Sequence, residues 1–163
     1  IVMKSPFIFG WAKPVPVKSY RLKNPLRDMI IVAIAGPVTN VVLAFVAASI
    51  LSIMHNFALL DNPWLVRTLA NFFFINIILA VFNMIPIPPL DGGRVAVGLL
   101  PQPLSYQLAR LERYGFFIII AALFVLPLIG KKIGITLEPI HWFIQSVSSF
   151  LISIIAFITG LQI

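Results

Sequence analysis

The chain has 163 residues, of which 60% are hydrophobic and only 10% charged, and it carries a formal net charge of +7 at neutral pH. A soluble domain has roughly 45–50% apolar and about 25% charged residues, so this composition excludes a water-soluble fold and places the chain in a bilayer. With no cysteine, disulfides, thiolate metal sites and thiol nucleophiles are also excluded, and any metal must be held by N or O donors.

The first 28 residues contain Lys4, Lys13, Lys18, Arg21, Lys23 and Arg27, together with Phe7, Phe9, Trp11 and Tyr20. Such a basic and aromatic stretch suits a nucleic-acid patch poorly and a topogenic segment well, because it immediately precedes an uncharged run. Within it, Pro14 and Pro16 bar an interior helix across Lys13, Pro14, Val15, Pro16 and Val17. Two readings stay open there: an extended edge able to hold a peptide by strand addition, or a stiff surface loop.

Four apolar stretches follow, Met29–Met54, Leu69–Leu90, Tyr114–Gly130 and Ile140–Thr159. Since about 20 helical residues cross a hydrocarbon core, the expectation is an all-α integral membrane domain of about four transmembrane helices over residues 1–163. No internal repeat or linker divides it. Alternating the sides puts nine basic residues on one face and three on the other, so residues 1–28 and the loop around Asp91 are expected to be cytoplasmic. The same alternation carries the C-terminus to that side and both His55 and His141 to the opposite one, too far from Asp91 for a shared metal or a Ser/His/Asp triad.

On the first stretch, Ala33, Gly36, Pro37, Asn40, Ala44 and Ala48 recur at spacings of three to four. Small residues on one stripe permit close helix packing, and Asn40 serves equally as an interhelical hydrogen-bonding group or as part of a polar interior. Asn76 and Asn83, seven residues apart, share a face of the second stretch and are expected to turn away from lipid.

That stretch closes with Pro86, Pro88, Pro89, Asp91, Gly92 and Gly93. Prolines withdraw backbone donors, which is tolerable at membrane depth only where protein or a wet cavity compensates. Asp91 can be read as the N-cap of a short helix or as a metal ligand; the prolines and the inward amides favour the ligand.

Gly10–Val17, Gly36-Pro37-Val38-Thr39-Asn40 and Asn83–Gly92 are similar to successive signatures of the site-2 proteases, a family of intramembrane zinc metalloproteases, and resemble its compact prokaryotic branch. The resemblance covers about residues 7 to 100. It implies Zn²⁺ as cofactor, Asp91 as a protein ligand, Asn83 and Asn40 as positioning groups, and Lys13–Val17 as a border for the scissile peptide. Gly36, Pro37, Pro86, Pro88, Pro89, Gly92 and Gly93 would be structural. The partners implied are the lipid bilayer and a transmembrane protein or peptide substrate, and the location a prokaryotic cell membrane.

The family's H-E-x-x-H helix, source of two histidine ligands and the glutamate base, would precede these motifs, and the sequence contains no H-E-x-x-H. The expectation is therefore the C-terminal portion of a longer protease, catalytically incomplete as given, or else a degenerate relative. A transporter or channel with a broken-helix ion site is the alternative from another class; it predicts a second broken segment bearing polar groups.

Overall fold

The computed structural model describes residues 24–57 and 62–162. These form helices α1 (Pro25–Asn56), α2 (Pro63–Asn83), α3 (Asp91–Leu99), α4 (Gln102–Arg110), α5 (Glu112–Ile120), α6 (Leu126–Ile133) and α7 (Pro139–Thr159), with a π-helical turn at Ala121–Val125 joining α5 to α6. No strand occurs among the described residues. The extended edge expected at Lys13–Val17 lies outside them.

Four helices are long and apolar enough to cross a membrane: Arg27–Asn56, Pro63–Asn83, Glu112–Ile133 and Pro139–Thr159. Each is set by local chemistry. Pro25 and Pro63 sit at the first helical turns, where a missing N–H costs nothing, and the Asn62 side chain caps α2 by accepting from the Leu65 N–H at 3.2 Å. That cap starts α2 six residues before the expected Leu69. In the third segment Pro127 removes an internal donor, and the ladder accommodates it by widening one turn, with Leu126 N–H bonded to Ala121 O. Gly134 ends α6 and Gly160 ends α7 in the left-handed conformation that an L side chain resists.

The core is narrow. Ala44, Ala47 and Ala48 of α1 meet Phe73, Ile77 and Val81 of α2 and Ile155 of α7, so the small-residue stripe does bring these helices together. Ala33 and Pro37 are buried along the same stripe, whereas Gly36 stays open and faces the segment after α2. Large side chains such as Phe157, Phe117 and Ile31 point outward, as lipid contact requires.

Strict alternation of sides fails at the last helix. Ile140, at the start of α7, packs with Ile85 just beyond the end of α2, while Leu161 after its end lines a cavity with Leu51, His55 and Phe73. α7 thus runs parallel to α1 and enters at the Asp91 end, so His141 lies at that end and not at the His55 end as expected. The cause lies in the third segment, whose Ile119, Ala122 and Leu123 pack around Ile85 and the first turns of α7 instead of climbing the α1–α2 pair.

Candidate metal ligand and its proline turn

α2 stops at Asn83 because Ile85 precedes a proline, a position biased away from helical geometry, and because Pro86, Pro88 and Pro89 cannot donate. The expected helix to Leu90 is therefore seven residues too long. The break is nonetheless closed within itself. Met84 N–H bonds Ala80 O and Val81 O, Ile85 N–H bonds Phe82 O, Ile87 N–H bonds Ile85 O at 2.8 Å, and Leu90 N–H bonds Ile87 O at 3.1 Å. Every non-proline donor between Met84 and Leu90 is thus satisfied, which is what makes an irregular turn tolerable at membrane depth.

The next residue is Asp91, the first of α3. Leu90 holds the N-cap position and no side chain caps the helix, so Asp91 does not serve as the N-cap. Its nearest cation is Arg94, with Nη1 4.0 Å from Oδ1 and both side chains partly open to solvent, at the limit of an ion pair. The other oxygen turns to α1: a Cβ placed on Gly36 would stand 3.3 Å from Asp91 Oδ2. Gly36 is thus the floor on which the carboxylate rests. Among the described residues this partly exposed acid has neither a cap bond nor a close ion pair, so none of them occupies its lone pairs.

The turn is held from two sides by glycines. A Cβ on Gly92 would strike Met84 O and one on Gly93 would strike Pro88 N, so the first turn of α3 lies directly on the proline segment. From the other side α5 presses on it: a Cβ on Gly115 would strike Pro88 O and come within 2.8 Å of Pro89 Cδ. The motifs pointed to Gly92 and Gly93 but missed Gly115, whose only signal is a lone glycine among bulky residues from Tyr114 to Ile120.

Gly36 and Asp91 are therefore brought together. Asn40 lies one turn along α1 and is half-buried, and Asn83 is half-buried at the end of α2. Asn76 is buried, but its Nδ2 donates to Phe72 O at 2.8 Å, so its own helix satisfies it rather than a shared polar interior. His55 is 19 residues along α1 from Gly36, about 28 Å at 1.5 Å per residue, which excludes it as a co-ligand. His141 is exposed beside Glu138 and Gln145 in a different cavity. Among the described residues no group of three His, Cys, Asp or Glu side chains forms a metal cluster. Lys13–Val17 lie outside the described residues.

These features define a multi-pass helical membrane protein that presents a carboxylate just after a proline-broken helix end. Residues 49–126, which contain this turn, match the model of Peptidase family M50, the site-2 protease family, and the chain is related to it through that region. Three curated relatives agree in part. "Putative zinc metalloprotease YwhC" of Bacillus subtilis is 40% identical over 124 residues, 74% of this chain and 56% of that protein. A Methanocaldococcus jannaschii protein with the same descriptive name is 38% identical over 87 residues, 53% of this chain and 41% of its own length. Stage IV sporulation protein FB of Bacillus subtilis is 29% identical over 110 residues, 66% and 34% of the two chains. The chain thus spans between about a third and just over half of these relatives. No solved structure matches it.

Proposed function

We propose that this chain is the ligand-bearing and substrate-holding part of an intramembrane zinc metalloprotease that cleaves transmembrane segments. One observation carries the reading: the Asp91 carboxylate rests on Gly36 with no committed partner among the described residues, inside the region matched by Peptidase family M50. Its donor chemistry fits one position of a catalytic zinc, which takes Asp or Glu oxygen alongside histidine nitrogen. A complete site needs about three protein ligands, so the two imidazoles and the carboxylate base come, in this reading, from protein outside these residues. Zinc, when bound, supplies Lewis acidity toward the peptide carbonyl.

The residues of this chain do the remaining work. The closed turn from Met84 to Leu90 fixes the direction of Asp91, and Gly36 sets how far it can retreat. Asn40 and Asn83 supply amides for a substrate backbone that has left its helix. With the Asp91 end facing the cytoplasm of a prokaryotic cell, as the basic residues favour, cleavage lies toward the inner leaflet.

Replacing Asp91 with Asn in the intact protein tests this. Metal analysis of purified protein is expected to show zinc occupancy falling at least tenfold, with cleavage of a model transmembrane substrate lost and thermal stability little changed, because the carboxylate makes only a marginal ion pair. Full zinc content in that variant would refute the assignment. The transporter reading gains nothing from the second interrupted helix, since Ile118–Leu126 around the π turn contains no polar side chain.

A further inference from the structure

α4 and the start of α5 form an arm that packs weakly. Its inner side holds to α3 through the Ser105 hydroxyl, which donates to Val97 O at 2.6 Å, while its outer side is open. Tyr106 and Arg110 lie four apart on α4, and Arg113 and Phe117 four apart on α5, so each pair shares a face of its own helix, with the turn at Leu111 between them. Tyr106 is 67% and Phe117 69% exposed, and Tyr114 beside them is 55% exposed. Isolated aromatics on a surface need no explanation, but two neighbouring cations each set against an exposed aromatic ring do.

Both guanidinium groups are arranged. Arg110 lies 5.8 Å from the Tyr106 ring centroid and Arg113 5.9 Å from that of Tyr114, close enough for the ring faces to hold them while the N–H edges remain available. Among the described residues neither is ion-paired: the one bridge is Arg94 with Asp91. Glu112 stands between them in sequence and is exposed, so it offsets one of the two charges and leaves the local balance at one positive. The pair also sits at a boundary, for the 16 residues from Gly115 to Gly130 are uncharged and begin a helix of membrane-spanning length.

Tyrosine and arginine at the mouth of an apolar segment are the chemistry of the headgroup layer, and two arginines one turn apart match the oxygens of a phosphate. We propose that Tyr106, Arg110, Arg113 and Tyr114 form a binding surface for the headgroup of an anionic phospholipid, with Phe117 against its acyl chains. Two guanidinium charges against the single carboxylate of Glu112 leave a net positive surface, which selects an anionic lipid over a zwitterionic one with the same phosphate. The surface is independent of the metal ligand, so it stands whether or not the protein is a protease.

The test uses the intact protein purified in detergent and exchanged into nanodiscs of phosphatidylcholine containing a rising fraction of phosphatidylglycerol. Native mass spectrometry reads the phosphatidylglycerol retained, and the lipid fraction at half-saturation is compared with that of Arg110→Gln, Arg113→Gln and the double variant. Each lost charge should weaken retention about fivefold, and both about 25-fold. As a positional check that does not depend on losing a charge, Tyr106→Trp fluorescence should be quenched by lipids brominated near the headgroup. Equal retention of the two lipids by the natural sequence, unchanged retention by a folded double variant, or a tryptophan quenched only by aqueous iodide would each overturn the proposal. If the double variant does not fold, Arg110→Lys with Arg113→Lys decides: retained selectivity with weaker binding supports it, and unchanged binding to both lipids overturns it.

Discussion

Gly115→Ala separates two forces of opposite sign. In a helix interior alanine is favoured over glycine by about 1 kcal/mol, so a glycine without a packing role would be improved by the change. Here the new methyl would strike the Pro88 carbonyl oxygen and lie 2.5 Å from its carbon and 2.8 Å from Pro89 Cδ. Those atoms belong to a turn stiffened by three prolines, and no flexible side chain stands between. Restoring ordinary contact at 3.4 Å with that oxygen requires α5 or the turn to move by about 2 Å, toward the upper end of the about 1–3 kcal/mol that overpacking costs. Set against the about 1 kcal/mol alanine gain, the net expectation is a loss of about 2 kcal/mol, roughly 4–8 °C in the unfolding midpoint. Because the displaced turn carries Asp91, zinc retention should fall as well. Gly130→Ala is the control, since its methyl would meet Ile135 O at 2.5 Å and Leu137 N at 2.9 Å, far along the chain from the proline turn. That variant should lose stability yet keep its metal. Thermal unfolding and metal analysis of both proteins decide the matter; a Gly115→Ala variant as stable as the natural protein, with full zinc, would refute the claim that α5 braces the turn.

Gly36→Ala introduces a methyl 3.3 Å from Asp91 Oδ2, tight enough to push the carboxylate by a few tenths of an ångström. Helix stability should hold or rise by about 1 kcal/mol while zinc affinity, titrated against a chelator, falls about tenfold; unchanged affinity would show that Gly36 does not seat Asp91. Ser148→Ala removes a buried hydroxyl that has no hydrogen-bond partner among the described residues, so the unfolding midpoint should stay level or rise, by up to about 1 kcal/mol of stability. A drop of more than about 1 kcal/mol would mean that the hydroxyl has a partner in the membrane-bound protein.

What the sequence disclosed, and what it hid, follows from the range of the interactions. Helix existence was legible because 20-residue apolar runs have one stable form in lipid, and the ends of α1 and α2 depend on prolines and an asparagine adjacent in sequence. The proline turn and its carboxylate were legible for the same reason. The pairing of Asp91 with Gly36 was only half legible: both motifs were visible, but their contact joins residues 55 positions apart. Gly115 carried no local signal at all, since its role is defined by the Pro88 carbonyl that approaches it. The direction of α7 was misjudged because charge counting assumes that every apolar segment changes side, whereas packing around Ile85 decides where the third one goes.

The depth of Asp91 bears on why a carboxylate is kept there. Gly36, against which it rests, is nine residues from Arg27 at one end of the apolar helix and 20 from Asn56 at the other, about 14 and 30 Å along its axis. The acid therefore lies alongside the apolar span yet nearer its basic end, a position where an ionised side chain is disfavoured unless a partner compensates. Arg94 at 4.0 Å compensates little, and no hydrogen bond from the described residues adds to it. A turn built only to end α2 could place a neutral residue at position 91 and avoid that cost. The economical account is that a cation in the assembled protein completes the charge balance, and Asp91→Asn distinguishes the two cases by sign: loss of metal with little loss of fold if the acid is a ligand, and a gain in stability with no change in metal if it is merely a burden.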